Sequence, residues 1–301
     1  MRKLFILGAA IVVSLAMLLT SCKKDEVNNN GNNNGNTENP SGGGSDSGGG
    51  SGSGGGSGTG GGGYNNQEYP STDNVIFRAV TDIDGNIYDA VQIGNQVWMA
   101  ENLRTTKYAD GTTIPMGSTY SFSDPYRYAP GSGQSNEENM GNVARYGYLY
   151  NWPAVMHGES SSAANPSGVQ GICPNGWHVP SDAEWTQLTN YLSGQTQYQC
   201  GSSSTNIAKA LASTTGWNSS SNTCAVGNNP GSNNSTGFSA LPAGFYDGGL
   251  YYGFGGYAAF WSATESNGSY AYYRYLGFNY ASVARNYGYE YLGFSVRCVR
   301  D

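Results

Sequence analysis

Apolar and polar positions divide the chain into three stretches of different character. Residues 4–19 are almost all apolar, behind the cations Arg2 and Lys3, and the run stops at Leu19-Thr20-Ser21-Cys22. Residues 28–63 are nearly all Asn, Gly and Ser, with no apolar residue to bury. After residue 69 periodic patterns begin. Residues 75–80, 87–93 and 96–103 are rich in β-branched and aromatic residues, parted by Asp84-Gly85-Asn86 and Gly94-Asn95. This predicts a meander of three strands with tight turns. Residues 107–167 read as loop, broken by alternating bulky residues over 146–152 that predict a strand packed on both faces. Ser181-Asp182-Ala183-Glu184 has the pattern of a capping box, and Trp185, Leu188 and Leu192 then recur at helical spacing. A weaker helical pattern covers 205–212, and strand patterns return at 238–246, 258–264, 270–278 and 293–300. The expected fold class is α+β: mainly antiparallel β with two short helices and long loops.

Composition narrows the picture. Charged residues make up 12% of the chain and the net charge is −7, which argues against nucleic acid as a partner. Four cysteines follow Cys22, an even number that favours disulfides in an exported chain. Three pairings are possible. The expected one joins Cys200 to Cys224 locally and Cys173 to Cys298 across the domain. No C-x-x-C occurs and the histidines are His157 and His178 alone, so no metal site is expected. Asp82, Asp84 and Asn86 have the spacing of early calcium ligands, but the twelfth position holds Ile93 rather than Glu, so a plain turn is expected. No cofactor is expected, and a structural calcium is left open. Glu184 is read as a cap, Trp185 as a core anchor, and His178 as a buried or capping histidine.

The first stretch resembles a bacterial lipoprotein signal. The resemblance implies a signal peptide over 1–21, cleavage before Cys22, and acylation of Cys22 as the anchor to the outer membrane. Lys23-Lys24-Asp25-Glu26 is similar to the lysine-plus-acid signal that Bacteroidetes lipoproteins carry for display at the cell surface. Residues 22–68 then form a tether, because such a sequence cannot offset its ordering entropy. As a random coil its Asn/Gly/Ser part reaches roughly 30–36 Å. The remaining residues, 69–301, are read as the folded domain.

Motifs along that domain carry a second resemblance. Ile83-Asp84-Gly85-Asn86 leads to Val97-Trp98-Met99-Ala100-Glu101-Asn102-Leu103. Tyr146-Gly147, Leu149-Tyr150-Asn151-Trp152 and Cys173-Pro174 with Gly176-Trp177-His178-Val179-Pro180-Ser181 follow. Gly237-Phe238-Ser239-Ala240-Leu241-Pro242-Ala243-Gly244, Phe260-Trp261-Ser262-Ala263-Thr264-Glu265 and Gly293-Phe294-Ser295-Val296-Arg297-Cys298-Val299-Arg300 close the series. In order and from about Val75 to the end, they resemble the Fibrobacter succinogenes major paralogous domain of Bacteroidetes surface lipoproteins. The resemblance implies a C-type lectin-like fold, and the closing strands are also similar to formylglycine-generating enzymes. Fold does not imply function. The calcium-lectin motifs Glu-Pro-Asn, Gln-Pro-Asp and Trp-Asn-Asp are missing, and Asn228-Asn229-Pro230-Gly231 has no carboxylate. A formylglycine-type oxidase needs a reactive cysteine pair near the closing strands, where only Cys298 lies. The chain is therefore expected not to be an enzyme.

Half of the 24 tyrosines fall within residues 241–301. Tyr, Ser, Asn, Gly and Arg are the residues of antibody-like contact surfaces. So many phenols in a row cannot all find buried partners, so several must reach water. The expected contact residues are Tyr273, Tyr275, Asn279, Tyr280, Ser282, Arg285, Asn286, Tyr287, Tyr289 and Tyr291. In 270–278, alternation sets Tyr270, Tyr272, Arg274 and Leu276 against Tyr273 and Tyr275, without showing which face is inward. Residues 279–291 have no clean period and read as loop with short strand pieces. Cross-strand aromatic packing without a ligand is the competing reading. The resemblance adds one possibility: some lectin-like domains of this kind are diversified by retroelements that rewrite adenine-rich codons before a fixed closing strand. The expected role is a surface-held module that contacts a glycan or protein ligand. The alternatives are a structural cell-envelope or fimbria-associated subunit, and a formylglycine-generating-enzyme-like enzyme.

Overall fold

The three N-terminal strand patterns form strands: β1 (Val75–Thr81), β2 (Ile87–Ile93) and β3 (Gln96–Met99). They belong to a computed structural model that describes residues 74–301. The expected signal segment 1–21, Cys22 and the tether 22–68 lie outside the described residues. The order continues with β4 (Arg127–Tyr128), the single helical turns α1 (Asn136–Asn139) and α2 (Val143–Tyr146), β5 (Leu149–Tyr150) and α3 (Trp152–Met156). Then come β6 (Trp177–His178), helix α4 (Asp182–Ser193), the turn α5 (Ala208–Leu211), and strands β7 (Phe245–Asp247) and β8 (Leu250–Tyr252). Strands β9 (Tyr257–Asn267), β10 (Tyr270–Gly277), β11 (Ala284–Tyr289) and β12 (Val299–Arg300) close the chain.

A five-stranded sheet runs β1-β2-β3-β12-β6 and a three-stranded one β11-β10-β9, with two small hairpin pairs, β4-β5 and β7-β8. Every strand pair is antiparallel. The fold is thus α+β and mainly antiparallel. The two helices expected are present as α4 and, within 205–212, the single turn α5, and the single turns α1, α2 and α3 add to them.

Helix α4 starts where the capping box places it. The Ser181 hydroxyl accepts from the Glu184 N–H, and the Glu184 carboxylate accepts from the Ser181 N–H. Trp185, Leu188 and Leu192 are buried in a core with Trp98, Phe238 and Phe260. A second core gathers Met99, Tyr150, Trp152, Trp261 and Phe294. Both expected disulfides are present, Cys173–Cys298 and Cys200–Cys224.

Four expected elements change, each for a local reason. Only Leu149–Tyr150 of 146–152 is strand. Gly147 takes φ +73°, where a Cβ would meet the Leu103 carbonyl oxygen at 2.6 Å, and Asn151 caps α3 at once. Most of 238–246 is irregular, because the Arg297 guanidinium draws in the carbonyls of Phe238 and Ser239. The closing run 293–300 pairs by isolated bridges to Tyr246, Tyr150 and Phe260 before β12. Residues 284–289, expected as mostly loop, form the regular strand β11. Its positions on the side of Tyr273 and Tyr275 are Ala284, the exposed Asn286 and Gly288, and at Gly288 the Tyr273 ring and Leu292 occupy the side-chain space.

The Asp82 segment is a hydrogen-bonded turn. The Asp82 carboxylate accepts from the N–H groups of Asp84 and Asn86, the Asn86 amide and the Tyr88 hydroxyl. Oxygens that accept four donors are arranged for a turn, not for a cation. His178 is buried between Glu184 and Asp301, with each carboxylate 2.7 Å from a ring nitrogen. Burial lowers its pKa, but the hydrogen bonds and charges of Glu184 and Asp301 outweigh burial and hold it above the ordinary histidine value. A group whose pKa rises on folding stabilises the fold fully below its unfolded value and loses that contribution as pH climbs through the folded value. A His178→Gln variant is expected to be about 1–3 kcal/mol less stable than the parent below about pH 6.5. The gap should narrow as pH rises. Urea unfolding of both proteins across that range checks it, and a gap that widens with pH would refute the ion pair.

Candidate functional site

Strand β10 resolves the alternation left open by its sequence. Arg274 and Leu276 are buried, and Arg274 is tied to α4 by hydrogen bonds to the Asp182 carboxylate and the Thr186 hydroxyl. Tyr273 and Tyr275 point to the other face and pack on the core. The Tyr273 ring lies 4.6 Å from Phe294 and 6.1 Å from Trp261. The middle of the sheet is therefore covered on both faces.

Its outer end is not. Cross-strand register sets Tyr272 opposite Tyr287 and Tyr270 opposite Tyr289, on the same face as the Arg274 and Arg285 pair. Side chains directly opposite on one face pack against each other. Tyr270 and Tyr289 lie 4.3 Å apart, and Tyr287 meets the edges of Tyr270 and Tyr272 at 5.8 and 6.3 Å. Tyr289 stacks on Tyr291 at 5.2 Å and 14°. Tyr120 and Phe122, from the loop before β4, each lie 5.0 Å from Tyr291. The result is a continuous strip of rings from Tyr272 to Tyr120. Tyr287 is 43% exposed, Tyr289 37%, Tyr120 54% and Phe122 43%, which makes the strip a surface rather than a core.

Charge on the strip is internally paired. The Arg285 guanidinium lies 4.0 Å over the Tyr272 ring and donates to both Asp182 oxygens at 3.0 Å. Asp182 thus bridges two arginines that face each other across β10 and β11, which offsets their repulsion and leaves the cluster one net positive charge. A hydrogen bond donated to Tyr289 pushes the Tyr270 hydroxyl up to about 12. Burial and the nearby Asp247 carboxylate push Tyr291 up to about 12 as well. Both phenols are neutral donors at neutral pH. Glu290 is buried between them in sequence, and burial plus the charge of Glu265 raises its carboxyl to about 7.

The ten expected contact residues fall into three places. Arg285, Asn286, Tyr287, Tyr289 and Tyr291 lie along the outer strand and its exit. Tyr273 and Tyr275 are on the opposite, core-packed face. Asn279, Tyr280 and Ser282 sit in the turn at the other end of the hairpin. There the Asn279 carbonyl accepts from Asn222 and the Tyr280 carbonyl from the Val226 N–H. Tyr120 and Phe122 were not expected. Their signal is Tyr120-Ser121-Phe122-Ser123, aromatic residues alternating with serine inside a loop, where no strand is present to bury them.

Elsewhere, a cleft of about 220 Å³ is lined by Asp82, Thr105, Lys107 and Cys173, among others. Its carboxylate is already held by the Asp82 turn. Among the described residues no group of three or more His, Cys, Asp or Glu side chains converges to hold a metal ion.

The motif residues 100–103, 237–239 and 293–298 converge elsewhere, on Arg297. The Asn102 amide donates to the Tyr146 carbonyl and the Ser295 hydroxyl, and its oxygen accepts from Arg297. Residues 91–300 match the family model described as the Fibrobacter succinogenes major domain. No curated protein and no solved structure matches the chain.

Proposed function

We propose, from the premise that this chain belongs to the Fibrobacter succinogenes major domain family, that it is a surface-held binding module with a lectin-like scaffold. The ligand meets the aromatic strip formed by Tyr272, Tyr287, Tyr289, Tyr291, Tyr120 and Phe122. Cys22, acylated after removal of residues 1–21, holds the chain to the outer membrane, and residues 22–68 extend it outward. One observation carries the contact reading: four large aromatic side chains are more than a third exposed on one contiguous strip. The largest such patch on a monomeric protein is often functional. Tyrosine suits the task, since it adds contact area with two torsions to freeze and carries a hydroxyl for adaptable bonding. Among the described residues no helix is long and apolar enough to cross a membrane.

The retroelement possibility takes a definite form. Within residues 273–291 the positions it would vary are Asn286, Tyr287, Tyr289 and Tyr291, while Arg274, Gly277 and Gly288 are held by packing. Relatives whose differences cluster at the buried positions would count against it.

The test is a display experiment. Cells carrying the full chain are probed with arrays of glycans and envelope proteins, and size is measured on the purified full chain. Saturable binding by a monomer is expected. Self-assembly without binding to either array would favour a structural subunit.

A further inference from the structure

The strip's size, charge and edge bear on its ligand class. Taking about 200 Å² per aromatic residue, the four most exposed rings offer roughly 350 Å². A stable protein interface covers about 800 Å² on each partner, so the strip alone is small for one. Its cation, Arg285, is held by Asp182 and Tyr272. Asp247 is hydrogen-bonded by the Tyr291 hydroxyl, and Glu290 is buried. One net positive charge, on the half-exposed Arg285 beside Asp182, is all that is left there to attract an acidic polymer or to steer a charged protein.

The free edge of β11 is also blunted. The Tyr287 N–H is taken by the Asn286 side chain at 2.9 Å, and the Tyr289 carbonyl accepts from the Leu292 N–H. An edge with two of its groups already used is a weaker template for an added peptide strand. What the strip does present is ring faces and phenol hydroxyls.

We infer that the aromatic strip takes a neutral, hydroxyl-rich glycan chain, the rings meeting its apolar faces and the phenols its hydroxyl groups. This rests on the contact reading above and sharpens it. Affinity is then insensitive to salt, because screening acts on charges.

The experiment titrates the full chain in detergent with neutral mannan, xylan and β-glucan, and with acidic polygalacturonate and heparin. A basic protein, lysozyme, is included. At least one neutral polymer is expected to bind, changing less than about twofold between about 0.05 and 0.5 M salt. Binding should fall at least about thirtyfold in a Tyr287→Thr/Tyr289→Thr variant, which keeps β propensity. Should that variant not fold, Tyr120→Ser/Phe122→Ser in the loop takes its place. Failure of all neutral polymers to bind, or binding that falls tenfold with salt, overturns the glycan assignment. Binding of an acidic polymer or lysozyme that is lost in the variant overturns only the ligand class. Binding that survives both variants overturns the contact reading too.

Discussion

Replacing Arg297 with Met is expected to destabilise the domain by about 3–5 kcal/mol, enough to unfold much of it. The side chain is fully buried. Its Nε donates to Asn102 at 2.7 Å, Nη1 to the carbonyls of Met99 and Phe238, and Nη2 to the Ser239 carbonyl at 2.8 Å. Its plane also lies 4.6 Å from the Phe238 ring. Methionine fills the volume but leaves four acceptors without this donor, and a buried unsatisfied acceptor costs about 1–3 kcal/mol. Lysine should rescue little, since an ammonium cannot reproduce a planar fork of five N–H donors. Urea unfolding midpoints of Arg297→Met and Arg297→Lys check this. A loss under about 1 kcal/mol for Met would show that the hub is not what holds these segments.

The second large effect is on binding. Removing both rings of Tyr287 and Tyr289 is expected to cost at least about 2 kcal/mol of affinity, about thirtyfold. These rings are central: Tyr287 touches Tyr270 and Tyr272, and Tyr289 touches Tyr270, Tyr291 and Phe122. Folding should survive, because both are more than a third exposed and threonine suits a strand. Tyr273→Phe makes the contrast. It keeps the ring packed on Phe294 and Trp261, on the opposite face, and should leave affinity unchanged.

Much of the frame was legible in the sequence because its signals are local. The capping box at Ser181 and Glu184 positioned α4, and turn residues set off β1, β2 and β3. The two disulfides join the cysteines expected. Where long-range contacts decide, local signals misled. The run 238–246 has strand composition, yet Arg297 bends it from across the chain. Strand β11 hid its period because Gly288 yields its side-chain space to a ring from β10. The exposed aromatic strip was half legible. Composition pointed to the tyrosines, but alternation alone did not say that Arg274 and Tyr273 lie on covered faces. Nor did it show that a loop some 150 residues earlier supplies Tyr120 and Phe122.

Titration calorimetry of the parent, Tyr287→Thr/Tyr289→Thr and Tyr273→Phe against one bound polymer tests the exposed strip most directly. The account predicts at least about thirtyfold weaker binding for the first variant and parental affinity for the second. Equal affinity in all three, with unfolding midpoints unchanged, would contradict it.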